Sequence, residues 1–182
     1  MTRTVFQLLA ASALPLALGA ATVAPAMATD PPAKQAAAPA MATPSTSTFL
    51  ANTAVANLFE IESSKVALTK TKNDKIKAFA NQMVTDHTGA GTKFKQAVTE
   101  AKLTPPAEKL DAKHQALLGD LQKKDGTAFD AAYVKAQSDG HVETVAMFEA
   151  YAKSGDNARM KQFASDMLPT LKAHLDQVSK LK

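Results

Sequence analysis

Three histidines, His87, His141 and His174, and one glutamate, Glu60, are the residues whose types and positions could do chemistry in this chain. Imidazole nitrogens together with a carboxylate form a donor set suited to a transition metal such as iron, manganese, copper or zinc. All four lie in stretches of helix-forming residues. Counting about 1.5 Å of rise per residue from the turn near Lys72 places Glu60 about 18 Å along one helix and His87 about 22 Å along the next. The same count from the turn near Gly155 puts His141 at about 21 Å and His174 at about 28 Å. Four polar groups are thus expected near the middle of a bundle. Asp130, Tyr133, Gln137 and His141 share one helical stripe, and Glu62 and Asp86 adjoin the donors in sequence. Glu62, Asp86, Asp130 and Tyr133 are therefore candidates for a layer around the metal ligands. Two readings of the cluster stay open. One is a metal site made by Glu60, His87, His141 and His174. The other is a buried polar network, for example His87 with Glu60 and His141 with Tyr133 or Asp130, since buried polar groups need partners.

Other chemistry is poorly supplied. The absence of cysteine excludes disulfide, thiolate and iron–sulfur chemistry. There is no Gly-x-Ser-x-Gly and no glycine-rich phosphate loop, so an ordinary hydrolase or nucleotide enzyme is not indicated. Glu-x-x-His, the signature of di-metal carboxylate bundles, is missing, because Val84, Ser138 and Leu171 stand three residues before the histidines. Asp111 and His114 have that spacing with a carboxylate but read as a solvated surface pair. Phe79, Met83, Met147, Phe148, Phe163 and Met167 sit at core spacing, and no Met-x-Met copper motif accompanies them. A net charge of +4, with lysines and acidic residues interleaved, gives no nucleic-acid-binding arm. The lysine-rich face of Lys65, Lys70, Lys72, Lys75 and Lys77 reads as solvated surface, with at most a weak attraction to an anionic membrane surface.

The elements that must position these residues follow from the pattern. Arg3, an apolar run from Val5 to about Val23 and the small residues Ala26-Met27-Ala28 form a secretory signal peptide over residues 1–28. Cleavage is expected after Ala28, giving a periplasmic or secreted protein with no transmembrane segment; the alternative is an uncleaved anchor, against which Gln7 and Pro15 interrupt the apolar run. Residues 29–48 are Pro, Ala, Thr and Ser and read as a flexible linker. From Phe49 the apolar spacing is helical, through Leu50, Ala54, Leu58, Ile61 and Leu68. Asn73-Asp74 caps a second helix that Pro105-Pro106 ends, with Gly89 and Gly91 expected to weaken or bend it after His87. A short helix over about Ala107 to Lys123, a long one over about Ala128 to Lys153 and a last one to about Lys180, kinked at Pro169, complete residues 49–182. Aligning Phe79 with Phe163 brings Asn73 onto Asn157, Ala80 onto Ala164 and Met83 onto Met167, so the second and last helices look like copies. An all-α four-helix bundle of two hairpins, joined by a crossover that carries the short helix, is the architecture this implies.

Leu58-Phe59-Glu60-Ile61-Glu62, the run from Phe79 to His87, Phe129-Asp130-Ala131-Ala132-Tyr133, His141, and Leu168-Pro169-Thr170-Leu171 with His174 resemble an exported bacterial family. It is the one catalogued as domain of unknown function 4142 and often labelled an outer-membrane protein. The resemblance covers about Phe49 to Leu181 and implies a ferritin-like fold. The expectation for function is an envelope protein that works by binding an unknown protein or small ligand, in a stress-related role and without an enzymatic motif. The alternative is a metal-binding protein or metallo-oxidase with its Glu/His site in the bundle core.

Overall fold

A computed structural model describes residues 45–181. The signal-peptide reading and most of the linker reading fall outside them. Among the described residues the chain forms five helices and no strand: α1 (Thr46–Lys70), α2 (Asp74–Glu100), α3 (Ala112–Gln122), α4 (Gly126–Ser154) and α5 (Ala158–Ser179). Four of the five starts are capped by a side-chain oxygen, from Ser45, Asn73, Asp111 and Asn157. Each cap satisfies backbone N–H groups that have no intrahelical partner.

Named contacts fix the topology. Thr46 at the start of α1 meets Tyr151 near the end of α4, with 2.5 Å between hydroxyl oxygens. Lys70 at the end of α1 pairs with Asp125 at the start of α4 at 2.8 Å. α1 and α4 are therefore antiparallel neighbours. Arg159 at the start of α5 pairs with Glu100 at the end of α2 at 2.6 Å, so α2 and α5 are antiparallel as well. With the tight turns at 71–73 and 155–157, every pair of adjacent long helices runs antiparallel, and the diagonals are α1 with α5 and α2 with α4. Residues 101–125 must then cross the full length of the bundle, and α3 lies within that crossover against α1 and α4. This is the two-hairpin bundle with a crossover helix that the pattern implies.

The helix boundaries differ in places from those expected. α2 runs from Asp74 to Glu100 through Gly89 and Gly91. α3 begins at Ala112 rather than Ala107, since Asp111 supplies its cap by accepting from the His114 N–H at 2.8 Å. α5 continues through Pro169. Pro169 and Ser165, whose carbonyl loses its helical donor there, are both on the exposed side, where water can take the donor's place. On α1 the residues turned fully inward are Thr53, Glu60, Ser63, Ser64 and Ala67 besides Phe49, Leu50 and Phe59. Leu58 and Ile61 lie instead on the flank beside α2.

The interior is consequently layered. One apolar cluster holds Phe49, Phe94, Phe148, Tyr151, Met160 and Phe163. A separate one holds Ile76, Phe79, Met83, Phe129, Tyr133 and Val178. Between them lie the buried polar side chains of Glu60, His87, His141 and His174. No helix among the described residues is long and apolar enough to cross a membrane.

Candidate metal centre

The polar layer takes one histidine from each of α2, α4 and α5. The ring centroids stand 5.8 Å (His87–His141), 5.5 Å (His87–His174) and 5.5 Å (His141–His174) apart, a nearly equilateral triangle. One potential ligand atom from each ring lies within 4.8 Å of the other two. All three side chains are buried.

The partners on the far side of each ring decide which nitrogen faces inward. His141 Nδ1 lies 2.9 Å from the Gln137 carbonyl oxygen. A carbonyl only accepts, so Nδ1 carries the proton and Nε2 keeps its lone pair. His174 Nε2 lies 2.9 Å from the Asp86 carboxylate, which leaves the lone pair on Nδ1. His87 Nδ1 lies 3.1 Å from the Asn57 side-chain oxygen, which leaves it on Nε2. The three remaining nitrogens, His87 Nε2, His141 Nε2 and His174 Nδ1, are buried and have no hydrogen-bond partner. Three lone pairs therefore border one small cavity of about 30 Å³, roughly twice the space that one water needs.

Burial keeps His87, His141 and Glu60 neutral. It lowers the His87 imidazole from 6.5 to about 3, helped by the neighbouring His141 and His174. It lowers His141 from 6.5 to about 4, against the Gln137 carbonyl, which favours the charged form, and with His174, which opposes it. Glu60 moves the other way, from 4.5 to about 8, because burial outweighs the opposing Gln137 hydrogen bond. The 3.7 Å approach of Glu60 Oε1 to His141 Nδ1 is thus a contact between two neutral groups near neutral pH. Neutral imidazoles are the form that binds metal.

The structure separates the remaining candidates. Glu60 lines the cavity but approaches His141 from its Nδ1 side and lies outside the convergent ligand set. Asp86 supports His174 directly. Glu62 is on the outer face, paired with Lys65 at 2.8 Å. Tyr133 bonds Ser64 at 2.8 Å in the neighbouring apolar half, where burial pushes its hydroxyl up. Asp130 is half-buried nearer the start of α4, with one oxygen unpartnered. His114 is half-buried rather than solvated: it bonds Asp111 at 2.6 Å and sits edge-on to Phe59.

Three contributors had no signal in residue type. Asn57 holds His87. Gly91 leaves room for Asn57, since a Cβ there would stand 3.1 Å from Asn57 Nδ2. Gly140 leaves room for Glu60, whose Oε1 would be 3.0 Å from a Cβ at that position. The spacing of Asn57 three residues before Glu60 on α1 was the one available hint.

Fold and site together define a crossover four-helix bundle with a three-histidine layer at mid-height. The chain belongs to the DUF4142 family, described as a domain of unknown function, whose model matches residues 30–181. Comparison with curated proteins and with solved structures gave no match.

Proposed function

We propose that this protein binds one divalent first-row transition-metal ion through His87 Nε2, His141 Nε2 and His174 Nδ1. The observation that carries the reading is the convergence of three buried, unpartnered lone pairs whose opposite ring nitrogens are all held. Leaving buried acceptors without a donor costs free energy, and a cation relieves all three at once. Asp86, Asn57 and the Gln137 carbonyl match the outer partners that orient metal-bound histidines. Imidazole donors suit zinc, copper, iron and nickel better than manganese or magnesium. Three protein ligands leave a fourth position for an exchangeable ligand, as in sites that act on small molecules rather than purely structural ones.

The test is titration of metal-stripped, tag-free protein with zinc and copper, followed by elemental analysis. One equivalent should bind, and His87→Ala and His141→Ala should each weaken binding at least ~100-fold while the helical circular dichroism is retained. Binding by both variants as tight as in the parent protein would refute the site.

The proposal includes export. The charged, apolar and small-residue anatomy of residues 1–28 supports it. N-terminal sequencing of protein recovered from the periplasm should begin at Thr29, and a retained Met1 in that fraction would overturn cleavage.

A further inference from the structure

We propose that the metal reaches the three histidines through the groove between α1, α3 and α4, and that Glu60 is the movable group in the wall it must cross. This rests on the metal-site reading above and adds a route to it.

The cavity at the histidines shares walls with two larger grooves. The groove between α1 and α4, flanked by α3, has a volume of about 500 Å³. The other, of about 460 Å³, lies between α1, α2 and the segment after α2. Their walls differ in what an ion must displace. Asn57, His87 and Phe94 border both the cavity and the α1–α2 groove. Passage there would move a ligand, the amide that holds it, or a buried phenyl ring. Ala56, Glu60 and Thr144 border both the cavity and the α1–α4 groove. That wall is two small side chains and one carboxyl group. On the α2–α5 side, Asp86 is committed to His174, so opening that side would release a ligand.

Glu60 has the geometry of a group that spans the wall. It is 4 % exposed, and its Oε2 has no hydrogen-bond partner. Its Oε1 occupies the space that the missing side chain of Gly140 leaves, and Gly140 lines the groove but not the cavity. The carboxyl group therefore reaches from the cavity to the groove.

Charge favours the same route. The α1–α4 groove is bordered by Asp111, Asp139 and Glu143 against one lysine, Lys113. Lys113 bridges to Glu143 at 3.0 Å, and Lys135 holds Asp139 from outside the lining at 2.6 Å. The α1–α2 groove carries only Lys95 and Glu108, paired with each other at 2.8 Å. A groove with an excess of carboxylates concentrates cations at its mouth.

Stopped-flow absorption with cobalt(II) chloride on the metal-free protein tests the route. Lys113→Gln, an exposed change, should raise the association rate about threefold at low ionic strength and lose that gain at high salt. Lys95→Gln on the other groove should leave the rate unchanged. Glu60→Gln should slow uptake and release together, about tenfold each, because a gate acts on both directions. The route is overturned if Lys95→Gln accelerates uptake in place of Lys113→Gln, or if Glu60→Gln leaves uptake unchanged. It is also overturned if Glu60→Gln speeds release alone, which would make Glu60 a ligand of the bound ion. Failure of the parent protein to bind cobalt would instead remove the metal site itself.

Discussion

His87 and His141 are held neutral by burial, and that has a consequence for stability in the absence of metal. Their folded-state values, about 3 and about 4, lie below the 6.5 of a solvated imidazole. Below about pH 6.5 the unfolded chain therefore binds protons that the folded one does not, and stability falls with pH. Glu60 has the opposite sign, since its folded value of about 8 lies above 4.5. Between those values the folded state keeps a proton that the unfolded state has lost, so stability falls as pH rises toward 8. Two histidines against one carboxyl leave a net gain up to about pH 6.5 and a net loss beyond it. Thermal unfolding of metal-free protein should peak near pH 6.5, and Glu60→Gln should remove the decline above it. A Tm that stays flat from pH 5 to 8 would show that these groups are not buried as described. Gly91 offers a second test at this scale. Gly91→Ala should stabilise α2 by up to about 1 kcal/mol through helix propensity. It should also press on Asn57, tilt His87 and weaken zinc binding about tenfold, read by competition titration against a chelator. Unchanged affinity would mean that Asn57 does not orient the ring. The sequence exposed the three histidines because their type is informative by itself. It hid Asn57, Gly91 and Gly140 because an amide and two missing side chains acquire a role only from what stands opposite them.

Helices two and five were legible as elements because their caps and turns are local, whereas α1 begins at Thr46, inside the stretch read as linker, and α4 begins without a side-chain cap. Asn73 and Asn157 cap α2 and α5 by accepting from backbone N–H groups of the first turn, as the internal repeat implies. The crossover was less legible, since Pro105 and Pro106 end a helix without saying where the next begins. α3 is also the least anchored element, with Leu121 as its one buried residue, while α4 buries seven and α5 seven. Its stability should therefore be separable from that of the bundle. Leu121→Ala should leave residues 112–122 exchanging their amide hydrogens at least ~100-fold faster, with little change in the four long helices. If protection is lost throughout the bundle at once, α3 is part of a single cooperative unit. Detachment of α3 would also uncover the groove beside Glu60, so the same variant should take up cobalt faster.

Across the whole molecule, the repeat that relates α2 to α5 does not generate the site. Its register sets His87 opposite Leu171 and His174 opposite Ala90. Phe79 and Phe163, which it does align, fall in opposite apolar halves, because α2 and α5 start from opposite ends of the bundle. The polar layer is thus a departure from an otherwise apolar design, and burying three imidazoles lowers the stability of the metal-free fold. His141→Leu tests this directly, since leucine has similar volume and the Gln137 carbonyl keeps its helical partner. The metal-free variant should be at least as stable as the parent near pH 7. At pH 5 it should be more stable by on the order of 2 kcal/mol, the proton-linkage cost of one buried imidazole between pH 6.5 and 5. Its zinc binding should be lost, and with it the rise in Tm that saturating metal gives the parent, about 2.7 kcal/mol of stabilisation at a hundredfold excess over Kd. A variant that is instead less stable than the parent at both pH values would make His141 a structural residue, and the layer a polar network that the bundle needs in order to fold. Stability gained where binding is lost would mean that the layer persists because it holds an ion, the trade expected of a functional site.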